Sequence, residues 1–160
     1  MSKLSYPALL ESGFHDMECH EIKKICVDAF PSSKRRGMLY QNLSNLLDSF
    51  CKINAISYCI SEIWVDGSFT TNKPEPDDID ILVVTDYLLL NQVPQQYHGM
   101  ISQFFDRNFV KLNYNIDVLL LYKNHPNPNL DYDSMRSYWR GWFGFDREET
   151  PKGLVRISYE

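Results

Sequence analysis

No stretch of the chain approaches the ~18 consecutive apolar residues that a membrane-spanning helix needs. The opening residues also lack a signal-peptide apolar segment. A cytoplasmic protein with no membrane partner is therefore the expectation. No CxxC pair occurs among Cys19, Cys26, Cys51 and Cys59. Their spacing fits neither a disulfide framework nor a common zinc pattern, and reads as reduced thiols. There is no excess of positive charge: the formal net charge is −5. That argues against broad electrostatic capture of phosphate backbones, so no broad DNA binding is expected. Internal repeats and low-complexity tracts are missing too. What is present is ordinary for a globular chain: 160 residues, 44% hydrophobic and 23% charged. This suits a single domain over residues 1–160 with a real core.

Periodicity supplies the elements. Ile22, Ile25, Cys26 and Ala29 follow helical spacing in a helix over 16–29, and Pro31 interrupts it. Ser32 or Ser33 can cap a second helix over 34–51, striped with Leu39, Leu43, Leu46, Leu47 and Phe50. Strands are predicted over 61–66, 78–84 and 114–122, with a further one in "GLVRISY". Helices are predicted over 95–109 and 133–143, the latter ended by Gly144. The segment "KNHPNPNLDYD", 123–133, is a loop leading to the last helix. These elements give an α+β, two-layer α/β architecture in which a mixed sheet packs against helices.

The informative stretch is "VDGSFTTNKPEPDDIDILVV". Side chains alternate along a strand, so Asp78 and Asp80 share a face while Ile79, Ile81 and Val83 take the other. Adjacent carboxylates repel, and each raises the pKa of its neighbour. A hard cation such as Mg²⁺ relieves that conflict, because it takes oxygen ligands from a few carboxylates plus substrate phosphates. Asp117 interrupts a second apolar strand in the same way, on the face of Leu119 and Leu121. An ionised Asp buried alone there would be costly. If the two strands are neighbours, three carboxylates converge in the manner of a two-metal site for phosphoryl or nucleotidyl transfer. Upstream, Gly67 permits a tight turn and close approach of backbone to a ligand. Backbone N–H groups of the turn and the Ser68 hydroxyl suit phosphate oxygens.

At these residues the chain resembles the DNA polymerase β-like nucleotidyltransferase superfamily. The shared pattern is Gly67-Ser68, nine residues, Asp78-Ile79-Asp80, and a third carboxylate, Asp117, on a later strand. Within the superfamily it looks most like a small stand-alone bacterial and phage family of nucleotidyltransferase-like proteins. That likeness extends to "SGFHDMECHEIKKICVDAF", "SSKRR" and "FGFDREETPKG". The resemblance implies the polymerase β-like nucleotidyltransferase fold. It implies Asp78, Asp80 and Asp117 as catalytic metal ligands for Mg²⁺, two ions with Mn²⁺ as a substitute, and Asp117 as the base toward an acceptor hydroxyl. It implies an NTP substrate, ATP among the candidates, with its triphosphate held at Gly67 and Ser68. The acceptor would be a protein, tRNA or a small molecule, in a toxin–antitoxin or phage-defence setting with a protein partner.

The chain also departs from that pattern. In many superfamily members the Gly-Ser opens a helix, whereas here Pro74 and Pro76 prevent one of any length. Phosphate binding then falls to Arg35, Arg36, Arg147 or Lys152, and Lys152 joins Gly67 and Ser68 in the nucleotide-binding set. These 160 residues leave no obvious room for a second domain that reads a base, so base selectivity is expected from Trp139, Trp142 or Phe145. His15 reads as a helix-start or packing residue. These departures keep a second function in view: a catalytically silent binding or regulatory protein on the same scaffold, such as an antitoxin, an inhibitor or a phage counter-defence factor.

Overall fold

A computed structural model describes residues 5–159. Five strands form one mixed sheet: β1 (Gly13–Asp16), β2 (Ile60–Asp66), β3 (Ile79–Asp86), β4 (Ile116–Lys123) and β5 (Gly153–Ser158), in the order β1-β5-β2-β3-β4. The β1/β5 and β3/β4 pairs are parallel; β2 runs antiparallel to both β3 and β5. The helices are α1 (Cys19–Lys23), α2 (Arg36–Ser57), α3 (Tyr87–Asn91), α4 (His98–Phe105), α5 (Arg107–Tyr114) and α6 (Tyr132–Phe143).

One face of the sheet is apolar throughout. Ile63, Val65, Ile79, Ile81, Val83, Ile116, Val118 and Val155 alternate onto it and pack under the stripe Leu39, Leu43, Leu46, Phe50 and Ile53 of α2. Burying each such side chain is worth about 1.5–3 kcal/mol. The α2–β2 corner is fixed by Asn54, whose side chain exchanges two 2.8 Å bonds with the backbone of Ile60. Tyr58, in the left-handed region at φ 54°, ends the helix.

The other face is divided. Trp64, Leu82, Val84, Leu121 and Leu154 form a small cluster under Phe143, Met135 and Trp139 of α6. Beyond that cluster, at the end of β3 nearest Gly67, the face turns acidic. The α+β expectation holds as a mixed sheet with helices. A two-layer description is too few, because α6 covers part of the second face.

Several boundaries differ from expectation, each for a local reason. The first helix opens at Cys19, because Gly13–Asp16 form the parallel edge strand β1 against β5; α1 then continues as a π-helical turn over Lys24–Asp28. His15 therefore sits on a strand rather than at a helix start, with its Nε2 2.7 Å from the Glu11 carbonyl oxygen. The helix expected over 95–109 is two helices. Asp106 has extended backbone and its carboxylate accepts from the Phe109 amide at 2.8 Å, which stops α4 and caps α5. Helix α3 was not foreseen; Asp86 caps it by accepting from the amides of Leu88 and Leu89.

Candidate functional site

Strand register brings the carboxylates together. Asp66, the last residue of β2, lies opposite Asp80 of β3, and Asp80 lies beside Asp117 of β4. Alternation places all three on the α6 face, continuing the rows of Trp64, Leu82 and Leu119. The result is a row of three aspartates across three adjacent strands, with Asp78 one pleat away. The row opens into a cleft of about 1390 Å³, which is also lined by Ser68, Trp142 and Phe145.

Burial and mutual repulsion disturb these groups. Asp80 is pushed up to about 6, first by burial and then by the charges of Asp78 and Asp117, with Lys111 and Lys152 pulling it partly back. Asp66 is likewise raised to about 6, chiefly by burial, against the pull of Lys152. Lys152 Nζ lies 2.8 Å from Asp66 Oδ1 and donates to the Gly67 carbonyl at 3.0 Å; both side chains of the pair are under a tenth exposed.

Two further cations come from α5. Arg107 grips Asp117 with both ends of its fork, Nε at 2.5 Å and an Nη at 2.8 Å. Lys111, one turn along, pairs with Asp78. The four aspartates thus face three cations, and Asp80, in the middle of the row, has no ion pair of its own among the described residues.

Gly67 makes the close approach possible. Its φ of 86° is a conformation side chains rarely adopt, and a Cβ there would fall 2.5 Å from Asp80 Oδ2. Ser68 opens only a three-residue 3₁₀ turn, Ser68–Thr70, so the helix that Pro74 and Pro76 forbid is indeed not formed.

The segment after that turn is held from behind. Arg36 is fully buried and donates to four backbone carbonyls: Cys26 at 2.8 Å, Phe69 at 2.7 Å, Thr71 at 2.6 Å and Lys73 at 2.6 Å. Its guanidinium also stacks 3.8 Å over the Phe30 ring. Arg35 donates to the carbonyls of Pro76 and Asp77, each at 3.0 Å. In return Glu75 accepts from the Ser33 hydroxyl and from the amides of Lys34 and Arg35. The motif "SSKRR" is therefore the bracket for "TTNKPEPD".

The sequence-derived candidates separate accordingly. Gly67, Ser68, Asp78, Asp80 and Asp117 meet at the cleft, and Trp139, Trp142, Phe145 and Arg147 line it as well. Arg35 and Arg36 do not; they brace the loop instead. Lys152 borders the cleft with its ammonium already committed to Asp66 and Gly67. Three residues were missed: Asp66, Arg107 and Lys111. A carboxylate ending a β-strand and an i, i+4 basic pair opening at the Asp106 cap were the available signals.

The donor chemistry fits a hard cation. The strand register lines up carboxylates, and the charges of Asp78 and Asp117, after burial, raise Asp80, a repulsion that a divalent ion would relieve. The fit is incomplete in this arrangement, because Asp66, Asp78 and Asp117 are engaged by Lys152, Lys111 and Arg107. Among the described residues, the one group of three or more His, Cys, Asp or Glu ligand atoms gathered within 4.8 Å is Glu18, His20 and Glu21, exposed at the start of α1; as a group the aspartates of the row stand farther apart than that.

Residues 4–158 match a family of unknown function, DUF6932. The chain belongs to the DUF6932 family. No curated protein and no solved structure matches it. Among the described residues of this DUF6932 member, no helix is long and apolar enough to cross a membrane.

Proposed function

We propose that the cleft is the active site of a Mg²⁺-dependent nucleotidyltransferase, which moves an NMP from an NTP to a hydroxyl and releases pyrophosphate. The observation that carries this reading is the register-matched row Asp66, Asp80 and Asp117 with Asp78 beside it, open to a cleft that also offers cations and aromatic faces. Asp78, Asp80 and Asp117 would hold the metal; Asp66, committed to Lys152, sets the charge behind it. When bound, the metal supplies positive charge against the phosphate oxygens and the attacking hydroxyl.

The remaining work belongs to the chain. The Gly67-Ser68 turn lets backbone approach the phosphates. Trp142 and Phe145, 63% and 46% exposed, offer faces for a base to stack on. The acceptor oxygen attacks the α-phosphorus and gives its proton to an Asp117 carboxylate oxygen; the bond to the bridging oxygen breaks, and pyrophosphate carries that electron pair away. Arg107 on both oxygens of Asp117 competes with that proton for them, and moving the guanidinium away leaves them free to accept it. Acceptors of the size of a protein side chain, a tRNA end or a small molecule suit so open a cleft, and a partner protein in a toxin–antitoxin or phage-defence pair would supply the first of these.

A second reading is favoured by one observation: three of the four aspartates are ion-paired. On that reading the protein is a silent nucleotidyltransferase-like binding or regulatory module. Incubation with α-³²P-labelled NTPs, Mg²⁺ or Mn²⁺, total tRNA and candidate partner proteins separates the two. Transfer of label by the wild type and none by Asp78→Ala/Asp80→Ala supports the enzyme. Absence of any label that depends on these aspartates favours the silent module.

A further inference from the structure

We propose that α5 carries the triphosphate-binding cations, and that Arg107 and Lys111 are a latch which rests on Asp117 and Asp78 until nucleotide and metal arrive. The inference rests on the nucleotidyltransferase reading and extends it to the residues that replace the missing phosphate-binding helix.

The argument begins with exposure. The three ion pairs of the cleft are not alike. Lys152 and Asp66 are 9% and 8% exposed, so parting them would strand two charges out of water. The Arg107 and Lys111 side chains are 63% and 47% exposed, and their partners Asp117 and Asp78 keep 22% and 30%. A pair whose cation is open to water is held less firmly than a buried one, and water can take the place of the departing cation. The buried pair is a fixture; the two on α5 can be released.

Position is the second point. Arg107 and Lys111 stand one turn apart on one face of α5, and Phe109 and Val110 turn to the core. The Asp106 cap fixes where α5 begins, and the contacts of Arg107 with Asp117 and of Lys111 with Asp78 place that face at the row. Both cations thus already stand over the carboxylates that would hold a metal, and Arg107 borders the cleft itself.

Charge supplies the exchange. A guanidinium or an ammonium seated on a carboxylate competes with a divalent ion for its lone pairs and repels the ion's charge. A divalent ion on Asp78 or Asp117 repels the cation it displaces, and the phosphates that accompany it are the nearest anions for that cation to grip. Arg107 presents a planar fork suited to phosphate oxygens, and Lys111 a point charge. The same two residues therefore oppose bare metal and favour metal with triphosphate.

The test is a pair of titrations on wild type, Arg107→Gln/Lys111→Gln, and Lys111→Arg. Mn²⁺ alone is followed by electron paramagnetic resonance, and inorganic tripolyphosphate with Mg²⁺ by calorimetry. The double variant should bind Mn²⁺ alone about three- to tenfold more tightly, as two exposed competitors are gone. It should bind Mg²⁺-tripolyphosphate about tenfold or more weakly. Lys111→Arg, which keeps the charge, should stay near wild type in both. Unchanged or weaker Mn²⁺ binding by the double variant overturns the latch, and unchanged tripolyphosphate binding overturns the phosphate role. Either failure, with wild type still binding both probes, leaves the transferase reading standing; a wild type that binds neither overturns both.

Discussion

Arg36 and Arg107 each hold one wall of the cleft, and they do it by opposite means. Arg36 lies wholly inside the protein and binds four backbone carbonyls of Cys26, Phe69, Thr71 and Lys73. The wall it serves, the segment from Gly67 to Asp78, cannot shift without leaving those groups unpaired in a dry environment. Arg107 lies at the surface and binds one carboxylate. The wall it serves, α5, is tied to the row by contacts that water can replace. The same guanidinium is a permanent bracket where it is buried on neutral oxygens, and a releasable one where it is exposed on a charged oxygen.

The largest effect should come from the buried bracket. Arg36→Met leaves four carbonyls unsatisfied and should cost about 3–5 kcal/mol of stability, read as a lower urea midpoint. A midpoint close to wild type would mean that the loop holds itself. Gly67→Ala comes next. It forces a side chain into a left-handed conformation and against the Asp80 carboxylate, and should cost about 2–3 kcal/mol. Mn²⁺ affinity should fall with it, since the displaced group is Asp80.

Asp80→Asn acts in the other direction. The folded carboxyl titrates at about 6 against an ordinary value of 3.8. The folded chain therefore holds this proton more tightly than the unfolded one. In metal-free buffer, stability should rise as pH falls from 7.5 through 6 and level off below about 4; Asp66 adds to the same trend. The Asn variant removes the ionisation cost and should be about 1–2 kcal/mol more stable than wild type at pH 7.5, after allowance for solvent screening, with little difference near pH 4. Denaturation at both pH values checks it. Arg107→Gln should be the mildest of the set, within about 1 kcal/mol of wild type. A loss as large as that of Arg36→Met would erase the contrast between the two walls.

The aspartates at the centre were legible because strand alternation is a local rule: Asp78, Asp80 and Asp117 each stand out against an apolar run. Gly67-Ser68 was legible as a turn. What surrounds them was not, since it depends on pairings far apart along the chain. Asp66 becomes part of the row only through the register of β2 on β3. Arg35 and Arg36 looked like phosphate ligands until the fold set them against a loop some forty positions away. The four-residue strand β1 acquires its partner only at β5, near the other end of the chain. The cations of α5 were hidden by the Asp106 break, because an unbroken helix over 95–109 would have left Lys111 outside it.

The most direct measurement is a crystal structure with Mg²⁺ and a non-hydrolysable NTP. The account predicts metal density on Asp78 and Asp80, Arg107 turned from Asp117 to a phosphate oxygen, and the Lys152–Asp66 pair unchanged. Nucleotide elsewhere, or a cleft with Arg107 and Lys111 still seated on their aspartates and no metal on the row, would contradict it.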